Sequence, residues 1–310
     1  MQMSLKRLTS TIGVMLLTLG YVQTADTAAP GVTLPDTPDG TVVVVAEQLA
    51  DHHPEIVWAA LPESYRADIN EITATFAEKM DPEVYDHAFA LVIRAIEVLD
   101  DRKDVILASE TFRSSGADAD EIRNGLSNTQ AYIKTLKASD IATLEGLGNV
   151  DWKQFLATTG AQMLEHAASI ETEDGGKPLD DLETLNVETL DVTRDRATLR
   201  ISSEDHEPEE VEMARVEGRW IPAEVADEWP QNIEEARQGL AELTPEKMAA
   251  QKTQIMMFFG MADGLIEQIA SLQTPEEFDA AIGPMLAPFM GAASVGMMGD
   301  DEELEETEDD

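Results

Sequence analysis

Apolar residues recur every three or four positions through most of the chain. Val84, Tyr85, Ala88, Phe89, Val92, Ile96 and Leu99 form one stripe. Ile69, Ile72, Phe76 and Met80 form a second, and Trp152, Phe155, Leu156, Met163 and Leu164 a third. This spacing lines one face of an α-helix, and a helix with one apolar face must bury it against another element. After Gly175-Gly176 the period drops to two. Leu185, Val187 and Thr189 alternate with polar residues, as do Ala197, Leu199 and Ile201, then Val211 and Met213. Turn residues at Arg194-Asp195, 203–208 and Glu217-Gly218 divide these runs, which predicts a small antiparallel meander. Helical spacing returns with Ile233, Ala236 and Leu240, and again over 248–272.

Five Pro-Glu dipeptides punctuate the helical regions: Pro54-Glu55, Pro62-Glu63, Pro82-Glu83, Pro245-Glu246 and Pro275-Glu276. Proline suits the first helical position, where its missing N–H has no partner to lose, and the following Glu complements the positive helix end. Asp81 is placed to cap the helix that Pro82 opens, and Thr274-Pro275-Glu276-Glu277 has the form of a capping box. The expected fold is α+β and mainly helical, with the meander inserted between an N-terminal helical part and C-terminal helices. The expected organisation is a signal peptide over 1–25, a flexible tether over 26–39 and a helical part over 40–175. The meander follows over 176–222, then C-terminal helices over 223–292 and a disordered acidic tail over 293–310. In that tail nine of the last eleven residues are Asp or Glu.

Charge changes the picture. The 310 residues hold 62 Asp plus Glu against 21 Lys plus Arg, a formal net charge of −41, and no Cys. Such a surface repels nucleic acid and anionic lipid, so neither is expected as a partner. Self-repulsion on this scale is relieved by screening, which points to a salt-exposed habitat. Residues 1–25 carry Lys6 and Arg7, no acid, and an apolar run from Ile12 to Val22. A basic head before a short apolar run is the form of a secretory signal, and the run is too short to cross a bilayer. The chain is therefore expected in the periplasm or outside the cell.

Residues 58–109 include Trp58-Ala59-Ala60-Leu61-Pro62, the run from Phe76 to Tyr85, and Asp104-Val105-Ile106-Leu107. They resemble a group of uncharacterised exported bacterial proteins, which implies export and brings no catalytic residue. Residues 185–222 contain Ala197-Thr198-Leu199-Arg200-Ile201 and Val216-Glu217-Gly218-Arg219-Trp220-Ile221-Pro222. They are similar to the sheet of small cystatin-like or nuclear-transport-factor-like envelope domains, which implies a binding or accessory module.

Recognisable catalytic chemistry is scarce. No Gly-x-Ser-x-Gly, Walker loop or dinucleotide fingerprint occurs, and His52-His53 are adjacent rather than one helical turn apart. No catalytic residue and no cofactor is assigned, and an enzyme acting through carboxylates stays as an alternative without a motif. Asp118 to Glu121 and Asp180-Asp181 read as solvated acidic turns. Trp152 and Trp220 are expected in the core, Trp58 and Trp229 at element ends with an exposed edge. The unusual feature is methionine: eight of fourteen lie between 248 and 298. The first expectation is core filler. A second is a surface of Met257, Phe258, Met261, Met285, Phe289 and Met290 that grips a protein, a peptide or a small apolar ligand. A third is copper held by the thioethers of Met256, Met257 and Met261.

Overall fold

A computed structural model describes residues 33–116, 118–168, 179–204 and 206–281. The signal-like segment, the acidic tail, and Met285, Phe289 and Met290 lie outside the described residues. The fold is α+β and mainly helical, with one four-stranded antiparallel sheet between N-terminal and C-terminal helices. The chain divides into two compact units, the first made of residues 1–90 and 131–259, the second of 91–130 and 260–310.

In the first unit, helix α1 (Pro38–Ala50) is capped by Thr37, whose hydroxyl accepts from the Gly40 N–H. Helices α2 (Glu55–Ala60) and α3 (Glu63–Lys79) follow, then α4 (Pro82–Asp101), whose first half belongs to this unit. Three of the five Pro-Glu pairs open these last three helices. Asp81 accepts from the Val84 N–H at 3.1 Å, and a second bond from Lys252 holds its carboxyl below the usual carboxylate range.

Past residue 130 the chain re-enters this unit. It forms a 3₁₀ turn (Asp140–Ala142), α8 (Leu144–Gly148) and α9 (Trp152–Phe155), then a π-helical turn (Leu156–Gly160) that leads into α10 (Ala161–Ala168). The extra residue of the π-turn lets Trp152, Phe155, Leu156 and Leu164 all bury, while Met163 is only half-buried. A single turn, α11 (Asp180–Glu183), precedes the sheet of β1 (Asn186–Val192), β2 (Arg196–Ser202), β3 (Glu209–Val216) and β4 (Arg219–Pro222). The strands pair in sequence order. Ala197, Leu199 and Ile201 of β2 bury with Met213 and Trp220, while Arg196, Thr198 and Arg200 face outward. That is the alternation the period-two pattern predicts. Register slips between Thr189 and Asp191, so Val192 pairs with Ala197 and sits on its face of the sheet, yet remains 53% exposed.

Helix α12 (Ala223–Glu242) packs on β3, β4 and α3 and continues through Pro230. A proline there cannot donate to the Ala226 carbonyl four residues back. The Tyr65 hydroxyl points at that carbonyl instead, at 3.5 Å. Its ring stacks flat on Trp229 with centroids 4.0 Å apart, and Trp229 Nε1 donates to Asp68 at 3.0 Å. The expected exposed edges of Trp58 and Trp229 are therefore corrected: each is 5% exposed, inside the largest apolar cluster. Burial, and after it the carboxylates of Glu217, Asp68 and Asp227, push the Tyr65 phenol above its ordinary value. The β3–β4 turn reaches back to α3. Glu217, at φ 51°, accepts from the Ser64 N–H at 3.0 Å and caps the helix; that bond holds its carboxyl low.

The second unit holds the rest of α4, then α5 (Lys103–Ala108), α6 (Glu110–Arg113) and most of α7 (Ala119–Lys137). It also holds the end of α13 (Pro245–Ser271) and α14 (Pro275–Ala281). Leu272 and Phe278 form its small core with Val105, Ile106, Leu265 and Ile269 against them. Arg102 donates to the Ala270 carbonyl at 2.8 Å, a cation at the negative end of α13. Thr274 and Glu277 exchange the two bonds of a capping box at 3.2 and 3.3 Å. Asp279 accepts from the Glu110 and Thr111 N–H groups at 2.8 and 2.9 Å. Hydrogen bonds from Thr111, side chain first, hold its carboxyl low. In this unit the stripe of α4 is corrected as well, since Val92 is 58% exposed and Ile93 takes the buried position.

Candidate functional site

Helix α13 decides which methionines are filler. At 100° per residue, Met248, Lys252, Ile255 and Phe259 fall along one side. Met248 and Phe259 are buried, Phe259 lies over the His87 ring at 5.1 Å, and Lys252 is bonded to Asp81 and Glu83 at 2.9 and 2.7 Å. Met257 sits about 160° away from Phe259 on that wheel, and it is 62% exposed; Phe258 is 61% exposed. Both belong to the first unit. Met261, at the start of the second unit's share of the helix, is 61% exposed, and Met256 is half-buried. The core-filler expectation thus holds for Met248 and is corrected at Met257 and Met261, because a helix with one covered side leaves the other bare. Among the described residues no group of three or more His, Cys, Asp or Glu is placed to hold a metal ion.

The surroundings of Met257 and Phe258 are unusual for this chain. Acids make up 62 of 310 residues, yet none lies between Lys247 and Ala262. The two cations of that run are both engaged: Lys247 with Glu242 at 3.8 Å, Lys252 with Asp81 and Glu83. Met257 and Phe258 are therefore an apolar pair on an acid-free stretch of helix. A shallow hollow of about 60 Å³ lies elsewhere in the first unit, lined by residues including Leu34, Asp36, Thr41 and Trp220. It has room for water and none for a ligand of ordinary size, which needs roughly 300 Å³ or more.

Two polar clusters lie elsewhere in the first unit. Asp181, Ser203 and His206 converge where α11 meets the β2–β3 connection. Ser203 Oγ donates to Asp181 Oδ1 at 2.7 Å, and His206 Nδ1 lies 3.1 Å from the same oxygen and 3.2 Å from Ser203 Oγ. The residue types are those of a hydrolase, but the arrangement is not. A relay needs the serine on one ring nitrogen and the carboxylate on the other, whereas here both crowd Nδ1. The cluster ties a loop to a helical turn. Separations of 22 and 25 residues between its members left no spacing to detect. The second cluster is at the α1–α2 junction, where His52 has φ 62° and His53 Nδ1 lies 3.2 Å from Glu55 Oε1. Glu55 is buried and its other oxygen has no partner. Neither residue lines the hollow described above.

Comparison with protein-family models, with curated proteins and with solved structures returned no match. Among the described residues no helix is long and apolar enough to cross a membrane.

Proposed function

We propose that this chain is an exported, non-enzymatic binding protein that docks a protein or peptide partner on the Met257–Phe258 surface of α13. The observation that carries the reading is the exposure of two adjacent large apolar side chains, 62% and 61%, on an acid-free run of an otherwise acidic chain. Interface centres are depleted in charge and enriched in Met and aromatic residues, with charged groups left to the rim. A thioether beside a ring adapts to differently shaped apolar partners. A convex helix surface favours a polypeptide over a small apolar ligand, which would need a cavity. Export is supported by the basic head and short apolar run of residues 1–25.

A fluorescein-labelled amphipathic helix of Leu and Gln serves as probe, titrated with the full chain and read by anisotropy. Binding that weakens several-fold in the double variant Met257→Ser, Phe258→Ser supports the surface. Equal binding by both proteins removes it. For export, expression in a bacterium and mass measurement of the product should show a chain shortened to begin after Ala25 or close to Ala28. An uncut product in the cytosol overturns that half of the reading.

A further inference from the structure

Resting on the reading of Met257 and Phe258 as a docking surface, we infer that its partner is a cation-rich polypeptide segment, with an apolar anchor flanked by Lys or Arg. The partner's charge follows from where this unit's cations are spent. Lys252 lies on the side of α13 opposite Met257, between two carboxylates, and Lys247 faces Glu242. On α12, the helix just before, six of twenty residues are acidic, against a single Arg237. Arg237 itself is held by Asp68 and Glu71 at 2.7 and 2.5 Å. No cation on these two helices is left to meet an anionic partner. The chain as a whole carries a surplus of acids, formally −41. An approaching anionic segment is repelled and a neutral one is unaided, while a cationic one is steered in and seats its apolar residues on the acid-free centre. A second copy of this chain suits the site poorly. It carries the same surplus of acids, so two copies repel each other.

The test uses the full chain and three labelled amphipathic helices that share one Leu pattern and carry Lys, Gln or Glu at the polar positions. Each is titrated at 0.05 and 0.5 M NaCl against the wild type and the Met257→Ser, Phe258→Ser variant. The inference predicts that the Lys helix binds at least about tenfold tighter than the Gln helix at low salt and loses most of that margin at high salt. It also predicts that the serine variant weakens the Lys helix several-fold. Equal binding of the Lys and Gln helices, both weakened in the variant, leaves the docking surface standing and overturns its charge preference. Lys-helix binding that is the same in wild type and variant overturns the inference, because attraction to acids anywhere on the chain then explains it. Failure of all three helices overturns both readings. Both substitutions are at exposed positions, and an unchanged far-UV circular dichroism spectrum verifies that the variant is folded.

Discussion

Replacing Glu217 by Gln removes the charge that caps α3 from the β3–β4 turn. The carboxylate accepts from the Ser64 N–H at 3.0 Å, so one turn residue joins the β3–β4 hairpin to the first turn of a helix 153 positions earlier. Gln keeps the side-chain length and meets the same left-handed backbone at φ 51°, so the change isolates the charge. The favourable charge at a helix start, which Gln lacks, is worth about 0.5 kcal/mol, the lower part of its range because this carboxylate is open to solvent and salt screens it. Its folded pKa lies below the ordinary 4.5. The contribution is therefore full above the unfolded value and fades as pH falls through the folded one. Losing one of 62 acids also relieves repulsion across the chain, an opposing effect that about 1 M NaCl screens. Urea titrations in that salt, followed by tryptophan fluorescence, report the first unit, since Trp58, Trp152, Trp220 and Trp229 all lie there. The variant should lose about 0.5 kcal/mol at pH 7, and the gap should narrow at a pH below the ordinary 4.5. Glu228→Gln, on the exposed side of α12, should lose nothing at either pH. A gap of the same size at both pH values, or an equal loss in the Glu228 control, refutes the capping argument.

Asp68→Ala should cost about 1–3 kcal/mol in the same titration, because Trp229 Nε1 is left buried without its acceptor and Arg237 loses a partner. Asp279→Asn should loosen the start of α6 in the second unit, read as faster amide exchange at Glu110 and Thr111. Since the folded pKa of Asp279 is depressed, the wild type should approach the variant as pH falls below the ordinary 3.8. Raising NaCl from about 0.1 to 1 M should shift the wild-type urea midpoint upward, as screening relieves the repulsion of a chain at −41; a falling midpoint would contradict the reading of its surface.

Features confined to a few neighbouring residues were legible in advance. All five Pro-Glu pairs mark helix starts, the Asp81 cap and the Thr274–Glu277 box form as written, and Ala197, Leu199 and Ile201 face inward together. What escaped depends on distant partners. Pro230 lies inside a helix, and Tyr65, 161 positions from Ala226, supplies the donor the proline lacks. Trp229 reads as an edge until Tyr65 and Asp68 cover it. Nothing near Glu217 announces the helix it caps. The methionines failed for a different reason: helical spacing places Met248 and Met257 on different sides, but which side is covered is set by Asp81, Glu83 and His87 elsewhere in the unit.

The most direct test of the docking surface is methionine methyl resonance spectroscopy on chain labelled with ¹³C in the methionine methyl groups, with signals assigned by single Met→Leu changes. A soluble paramagnetic chelate should broaden the Met257 signal strongly and leave those of buried Met213 and Met248 sharp. Adding the Leu/Lys helix should then shield Met257 and shift its resonance while Met213 and Met248 stay in place. A Met257 signal protected before any peptide is added, or unmoved at saturating peptide, would contradict the account.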